Sequence, residues 1–121
     1  MSQVVKALEQ GPLPSLDEVV LGTNARPLTS AEIAQFRTAG YVKNLPVFSA
    51  AGAQQLRAGF EQLAMRLPAG IDISRVNMWH KCSRWFHDLC RTPAILDYVE
   101  NLLGPDFFQW GGQFFVKYPG D

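Results

Sequence analysis

Apolar residues recur at helical spacing along much of this chain and switch to strict alternation near its end. The best-defined start is Thr29-Ser30-Ala31-Glu32, a capping box in which the Thr hydroxyl and the Glu carboxylate each satisfy an otherwise unpaired N–H. Leu28 and Ile33 flank it as a hydrophobic staple, Ile33 and Phe36 continue the helix, and Gly40 ends it. Tyr41–Leu45 then reads as a strand closed by Pro46. Ser49 opens a second helix from Ala50 to about Leu67, with Ala53, Leu56, Phe60, Leu63 and Leu67 on its apolar stripe. Gly59 inside it costs about 1 kcal/mol relative to Ala, which points either to close packing against a neighbour or to nothing. Pro68 to Gly70 breaks the chain, and Ile71–Trp79 is irregular or a short strand. Ser83 is a candidate cap for a helix whose apolar face is Trp85, Phe86, Leu89 and Cys90.

The stretch Thr92 to Asp121 is the most legible. Thr92 is a candidate N-cap and Pro93 suits the first helical position. Ile95, Leu96, Val99, Leu102 and Leu103 form one apolar stripe, and Gly104-Pro105 stops the helix. From Phe107 the period becomes two. Phe108, Trp110, Gly112, Phe114, Val116 and Tyr118 would face a core, and Gln109, Gly111, Gln113, Phe115 and Lys117 the other side. That second face suits the wall of a polar pocket, but periodicity alone favours an ordinary solvated face. These elements predict an α+β fold, with three or four helices on a small incomplete sheet built from Tyr41–Leu45 and Phe107–Tyr118.

Residues 1–27 read as an N-terminal arm that lies on the main body or is partly loose. Val4, Val5 and Leu8 make one helical turn, Gly11-Pro12-Leu13-Pro14 breaks it, and Leu16, Val19, Val20 and Leu21 form a short apolar segment after Ser15. Gly22 to Pro27 reads as a loop.

A length of 121 residues, 47% of them hydrophobic, allows one small domain. Eleven basic residues balance eleven acidic ones, which gives no electrostatic reason to expect nucleic acid or a membrane surface as partner. Two cysteines are too few for a disulfide scaffold. No signal peptide and no long apolar run is evident, so a cytoplasmic location is expected.

Both histidines and both cysteines fall between His80 and Cys90. On one straight helix His80 and His87 would lie about 10 Å apart. Two ligands of one first-row metal need donor atoms within about 4 Å of each other. Cys82 and Cys90 fail similarly, and His87-Asp88 is adjacent. A half-buried histidine and core cysteines are the favoured reading, and no metal ligand is assigned. No phosphate-binding loop or nucleophile elbow is present.

The run DLCRTPAILDYVENLLGPDFFQWGGQFFVKYPGD, together with LTSAEIAQFRTAGYVKNLPVFS, resembles the phytanoyl-CoA dioxygenase family. The ordered set is Phe36–Gly40–Tyr41–Val42, then Leu103–Gly104–Pro105–Asp106, then Lys117–Tyr118–Pro119–Gly120, and the likeness spans about Leu28 to Asp121. It implies the helices and first strands of a double-stranded β-helix, a cupin-like jelly roll, over residues 28–121. It also implies Fe(II) and 2-oxoglutarate as cofactors of the complete enzyme, held by a His-x-Asp…His facial triad, and hydroxylation of a small-molecule substrate. Residues 1–121 contain no such triad, so neither cofactor is expected on this chain alone and the chain is expected to be inactive by itself. The resemblance places Lys117 near the cosubstrate with Gln113 beside it. Asn77, His80 and Trp85 become candidates for the substrate pocket. The alternative is a non-catalytic remnant or interaction module that self-associates through Phe107–Tyr118 or pairs with a separate C-terminal half.

Overall fold

Local sequence sets the helix boundaries. The computed structural model describes residues 2–8, 10–17 and 24–121. Among these, the helices are α1 (Ser2–Leu8), α2 (Ser30–Ala39), α3 (Ala50–Arg66), α4 (Trp79–Cys82), α5 (Arg84–Cys90) and α6 (Pro93–Leu103), with a 3-10 turn at Ile73–Arg75. The capping box of α2 forms as expected. Glu32 N–H donates to Thr29 Oγ1 at 3.2 Å, and Thr29 N–H donates to Glu32 Oε2 at 2.8 Å. Gly40 closes the helix at φ 80, a left-handed conformation that costs a side-chain-bearing residue more. Ser49 caps α3 through Gly52 N–H at 3.0 Å, and Ser83 caps α5 through Phe86 N–H at 3.3 Å. Thr92 stands at the N-cap of α6 without capping it, because its hydroxyl donates instead to Leu89 O at 2.7 Å.

The core forms where α1, α3, α4 and α5 meet. Leu63 and Trp79 are fully buried, joined by Val4, Ile73, Trp85 and Phe86. Each large side chain so buried contributes about 1.5–3 kcal/mol. Trp79 keeps its indole N–H satisfied by donating to Ile73 O at 3.3 Å. Phe114, from the far end of the chain, inserts edge-on against Phe60, Trp79 and Phe86, with ring centroids 5.0, 5.7 and 4.9 Å away. Gly59 makes the close approach its position suggested. A Cβ there would lie 2.5 Å from Trp85 Cζ2.

The N-terminal arm lies on this body. Val4 joins the core, and the Arg66 guanidinium donates to Gly11 O at 2.6 Å and Pro12 O at 3.2 Å. The expected apolar segment ending at Val19, Val20 and Leu21, and the start of the loop at Gly22, lie outside the described residues.

The expected α+β architecture is corrected to an all-helical one. Among the described residues there is no β-strand, and no sheet or double-stranded β-helix (cupin-like jelly roll) forms. Tyr41–Leu45 and Phe107–Tyr118 are not strands, and Phe48 makes a single isolated bridge. The physical reason is the difference between an extended chain and a ladder. Alternation of apolar and polar residues reports that a segment is half-buried along one face. A strand also needs a neighbour to receive its N–H and C=O groups, and an isolated pair at best is marginal in water. Phe114 and Val116 pack inward as the alternation requires, whereas Phe108, Trp110 and Tyr118, expected on the same core face, are exposed. Among the described residues, no backbone N–H from Phe107 to Lys117 donates to another residue's backbone.

Helix α6 corrects a second expectation. Its buried residues are Ala94 and Tyr98, whereas Ile95, Leu96, Val99 and Leu102 are half-buried and Leu103 is exposed. Tyr98 explains the choice of face. Its hydroxyl donates to Pro46 O at 2.7 Å and accepts from Arg26 N–H at 3.2 Å, so α6 is latched to two loops and to α2 through its polar-edged side.

Candidate functional site

The residues singled out from sequence lie in two separate neighbourhoods. Trp85 belongs to the core. Its ring lies against Gly59, its Nε1 is buried with no protein partner, and its accessible edge lines a groove with Leu8, Pro12, Leu13 and Arg66. Neither groove that Trp85 lines includes Asn77 or His80. Asn77 is exposed on the irregular stretch between the 3-10 turn and α4.

His80, by contrast, meets the extended segment. Met78 enters the left-handed region at φ 62, a costly conformation outside glycine, and so turns the chain into α4. Trp79 N–H then donates to Gly112 O at 3.0 Å, which fastens residues 109–113 across the start of α4. His80 Nδ1 is buried and unpartnered, 3.3 Å from where a Gly112 Cβ would stand. Gln109 Nε2 is 2.9 Å from the same point and donates to Cys90 Sγ at 3.3 Å. His80, Gln109 and Cys90 therefore converge around Gly112. Gln113 is half-buried next to that point, and Lys117 lies exposed farther along. Burial pushes the Cys90 thiol up, and the Gln109 amide pulls it partly back.

Sequence reasoning passed over Gln109, Cys90 and Gly112 as a set. The available signal was Gly111-Gly112 inside an alternating pattern, since glycine within an extended segment marks a close backbone approach.

Beside this cluster runs an apolar groove of about 470 Å³. It is walled by Leu89 and Cys90 of α5, by Ile95, Leu96, Val99 and Leu103 of α6, and by Phe107 and Phe108. The strongest apolar stripe in the chain thus faces an uncovered channel.

The main electrostatic feature lies elsewhere. The Arg26 guanidinium donates to both Glu32 carboxylate oxygens at 2.9 and 2.6 Å, and with the Thr29 N–H it draws the Glu32 carboxyl down to about 2. This network holds α2 to the segment before it.

Among the described residues, no three His, Cys, Asp or Glu side chains stand where they could hold one metal ion. The donors of a facial triad for Fe(II) are thus not supplied here, and no step of iron chemistry follows from this site. No described helix is long and apolar enough to cross a membrane. Compared with models of known protein families, with curated proteins and with solved structures, the chain matches none.

Proposed function

We propose that this chain is the N-terminal portion of an Fe(II)/2-oxoglutarate-dependent oxygenase of the phytanoyl-CoA dioxygenase type, acting on a small organic substrate. In this reading it contributes the helical layer and an aromatic edge segment, and the iron ligands come from residues outside 1–121. The observation that carries the reading is the state of residues 107–117 and the groove beside them. One side of the segment is locked to the core by Phe114 and by the Trp79–Gly112 hydrogen bond. Among the described residues no backbone group accepts from its N–H groups, and the half-buried apolar stripe of α6 lines an open groove next to it. Unclaimed backbone beside bare apolar surface suits a domain whose remaining portion covers both. The ordered motifs from Phe36 to Gly120 support the same assignment. Exposed Lys117 offers a cation, and half-buried Gln113 an amide, to a dicarboxylate cosubstrate. Without a covering portion, the exposed Phe108, Trp110 and Phe115 favour a second reading, a non-catalytic interaction module.

The test extends the reading frame past Asp121 and compares the longer protein with the 121-residue chain. The longer frame is expected to encode a His-x-Asp pair and a distal His. Its product should release succinate from 2-oxoglutarate with Fe(II) and O2, and Lys117→Glu should weaken 2-oxoglutarate binding. A frame that lacks the ligand set, or a longer protein that releases no succinate, refutes the reading.

A further inference from the structure

The segment that lies unpaired on the helical core is close to a palindrome. Read outward from Gly111, the sequence runs Trp110, Gln109, Phe108, Phe107 in one direction and Gly112, Gln113, Phe114, Phe115 in the other. Only the first step differs. We propose that the 121-residue chain forms a two-fold dimer by antiparallel pairing of residues 107–115 with the same residues of a second copy, with Gly111 on the axis. The inference stands on this segment alone and does not rest on the oxygenase reading.

Cross-strand pairing then becomes like with like. Phe107 faces the partner's Phe115, Phe108 faces the partner's Phe114, and Gln109 faces the partner's Gln113. Aromatic pairs and amide pairs are both favourable cross-strand neighbours. At the one mismatch Trp110 stands opposite the partner's Gly112, whose side-chain position is already filled by that copy's own Phe86, Gln109 and His80, so the Trp110 ring stays at the outer margin of the pair. The charges agree in direction. Asp106 and Lys117 flank the segment, so antiparallel pairing brings Lys117 to the end that carries the partner's Asp106. Parallel pairing would set Lys on Lys and Asp on Asp.

The backbone leaves the required edge free. Along an extended chain, the N–H and C=O groups of alternate residues face opposite edges. Gly112 O accepts from Trp79 N–H, whereas Phe107, Gln109, Gly111, Gln113 and Phe115 make no backbone–backbone hydrogen bond among the described residues. A two-fold axis at Gly111 uses these groups: Gly111 with Gly111, Gln109 with Gln113, Phe107 with Phe115. In the single chain Gln109 Nε2 covers Gly111 O at 3.2 Å, a side-chain cap that a second strand would displace.

Exposure explains why a second copy fits. Phe108 and Trp110 share the parity of core-packed Phe114, yet they are 79% and 82% exposed. Pairing sets Phe108 opposite the partner's Phe114. With Phe115 at 86% and Tyr118 at 58% exposed, the four rings present about 450–750 Å² per chain at about 150–250 Å² per aromatic side chain. Complete coverage of these rings in two copies would bury at most about 900–1,500 Å², whose upper end lies within the range of about 1,200–2,000 Å² for stable interfaces. Isologous two-fold contacts of this kind also close on themselves, which prevents further growth.

Sedimentation velocity of the 121-residue chain over a range of concentrations is expected to show a reversible monomer–dimer equilibrium. Phe115→Glu should shift it to monomer with unchanged far-UV circular dichroism, since Phe115 touches no core residue. Register is read by oxidative cross-linking with peptide mapping. Gly111→Cys should couple to itself across the axis. Gln113→Cys should not, because its two copies sit about 13 Å apart along the strands, beyond the ~7 Å reach of a disulfide. A chain that stays monomeric throughout, a dimer unmoved by Phe115→Glu, or equal cross-linking at both positions overturns the proposal. A monomer that instead captures the polypeptide encoded after Asp121 overturns it too, and assigns the edge to that polypeptide. None of these readouts involves succinate release, so the two proposals fail separately.

Discussion

Replacing Gly59 by alanine sets two opposed effects against each other at one carbon atom. Alanine in a helix interior is favoured over glycine by about 1 kcal/mol. The added Cβ would stand 2.5 Å from Cζ2 and 2.9 Å from Cε2 of Trp85, too close without movement. The obstacle is a rigid ring, 92% buried by its 8% residual exposure, so no flexible side-chain tip can yield. Overpacking of this kind costs about 1–3 kcal/mol. Gly59→Ala should therefore lower stability by about 0–2 kcal/mol, the clash less the propensity gain. The sharper test is a sign change. Trp85→Phe removes the ring atoms that meet the Cβ, so in that background Gly59→Ala should raise stability by about 1 kcal/mol. Trp85→Phe also removes the buried, unpartnered Nε1, which offsets part of its own packing loss. Urea unfolding followed by far-UV circular dichroism, at one fixed protein concentration across the four proteins, gives the coupling energy directly. Equal stabilisation by Gly59→Ala in both backgrounds would refute the placement of Trp85 against α3.

Thr29→Ala should cost about 1 kcal/mol through loss of the cap, and Glu32→Ala should cost less; in the double variant the losses should be subadditive if the two residues act as one box. Glu32 ionises at about 2 in the folded chain against an ordinary 4.5, so its contribution is complete above the ordinary value and fades as pH falls from there toward 2. Arg26→Ala should return that titration toward the ordinary range, read by NMR of the carboxyl carbon, and high salt should blunt it. Tyr98→Phe strands Pro46 O and Arg26 N–H and should cost about 1–2 kcal/mol, with faster amide exchange at Arg26; unchanged exchange would show that the latch does not hold the loop. Cys90, raised by burial, should react slowly with iodoacetamide at pH 8 and still gain rate above pH 9; a rate already at its plateau at pH 8 would contradict the burial.

Every helix boundary that rests on local chemistry was legible. The Thr29–Glu32 box, the Ser49 and Ser83 caps, Gly40 and the Pro68–Gly70 break each act within four residues, a range over which the chain's own atoms decide the outcome. Gly59 was compatible with a close neighbour without requiring one, and both the contact and its identity, Trp85, needed the fold. The inward turn of Phe114 and Val116 agrees with period-two alternation, but Phe108, Trp110 and Tyr118, which the same alternation gave to the core, are exposed. Period alone could not say whether a second strand stands beside residues 107–118. Alternation records which face is buried, whereas a ladder is made of bonds to another segment, and among the described residues no segment supplies them. Helix α6 shows the same limit. Its apolar stripe runs through Ile95, Leu96 and Val99, yet the hydroxyl of Tyr98 bridges Pro46 and Arg26, 52 and 72 residues away, and the adjoining face of Ala94 and Tyr98 is the one buried. The convergence of His80, Gln109 and Cys90 on Gly112 also joins residues distant in sequence. Such meetings are fixed by where whole elements pack, and only the tertiary structure decides them.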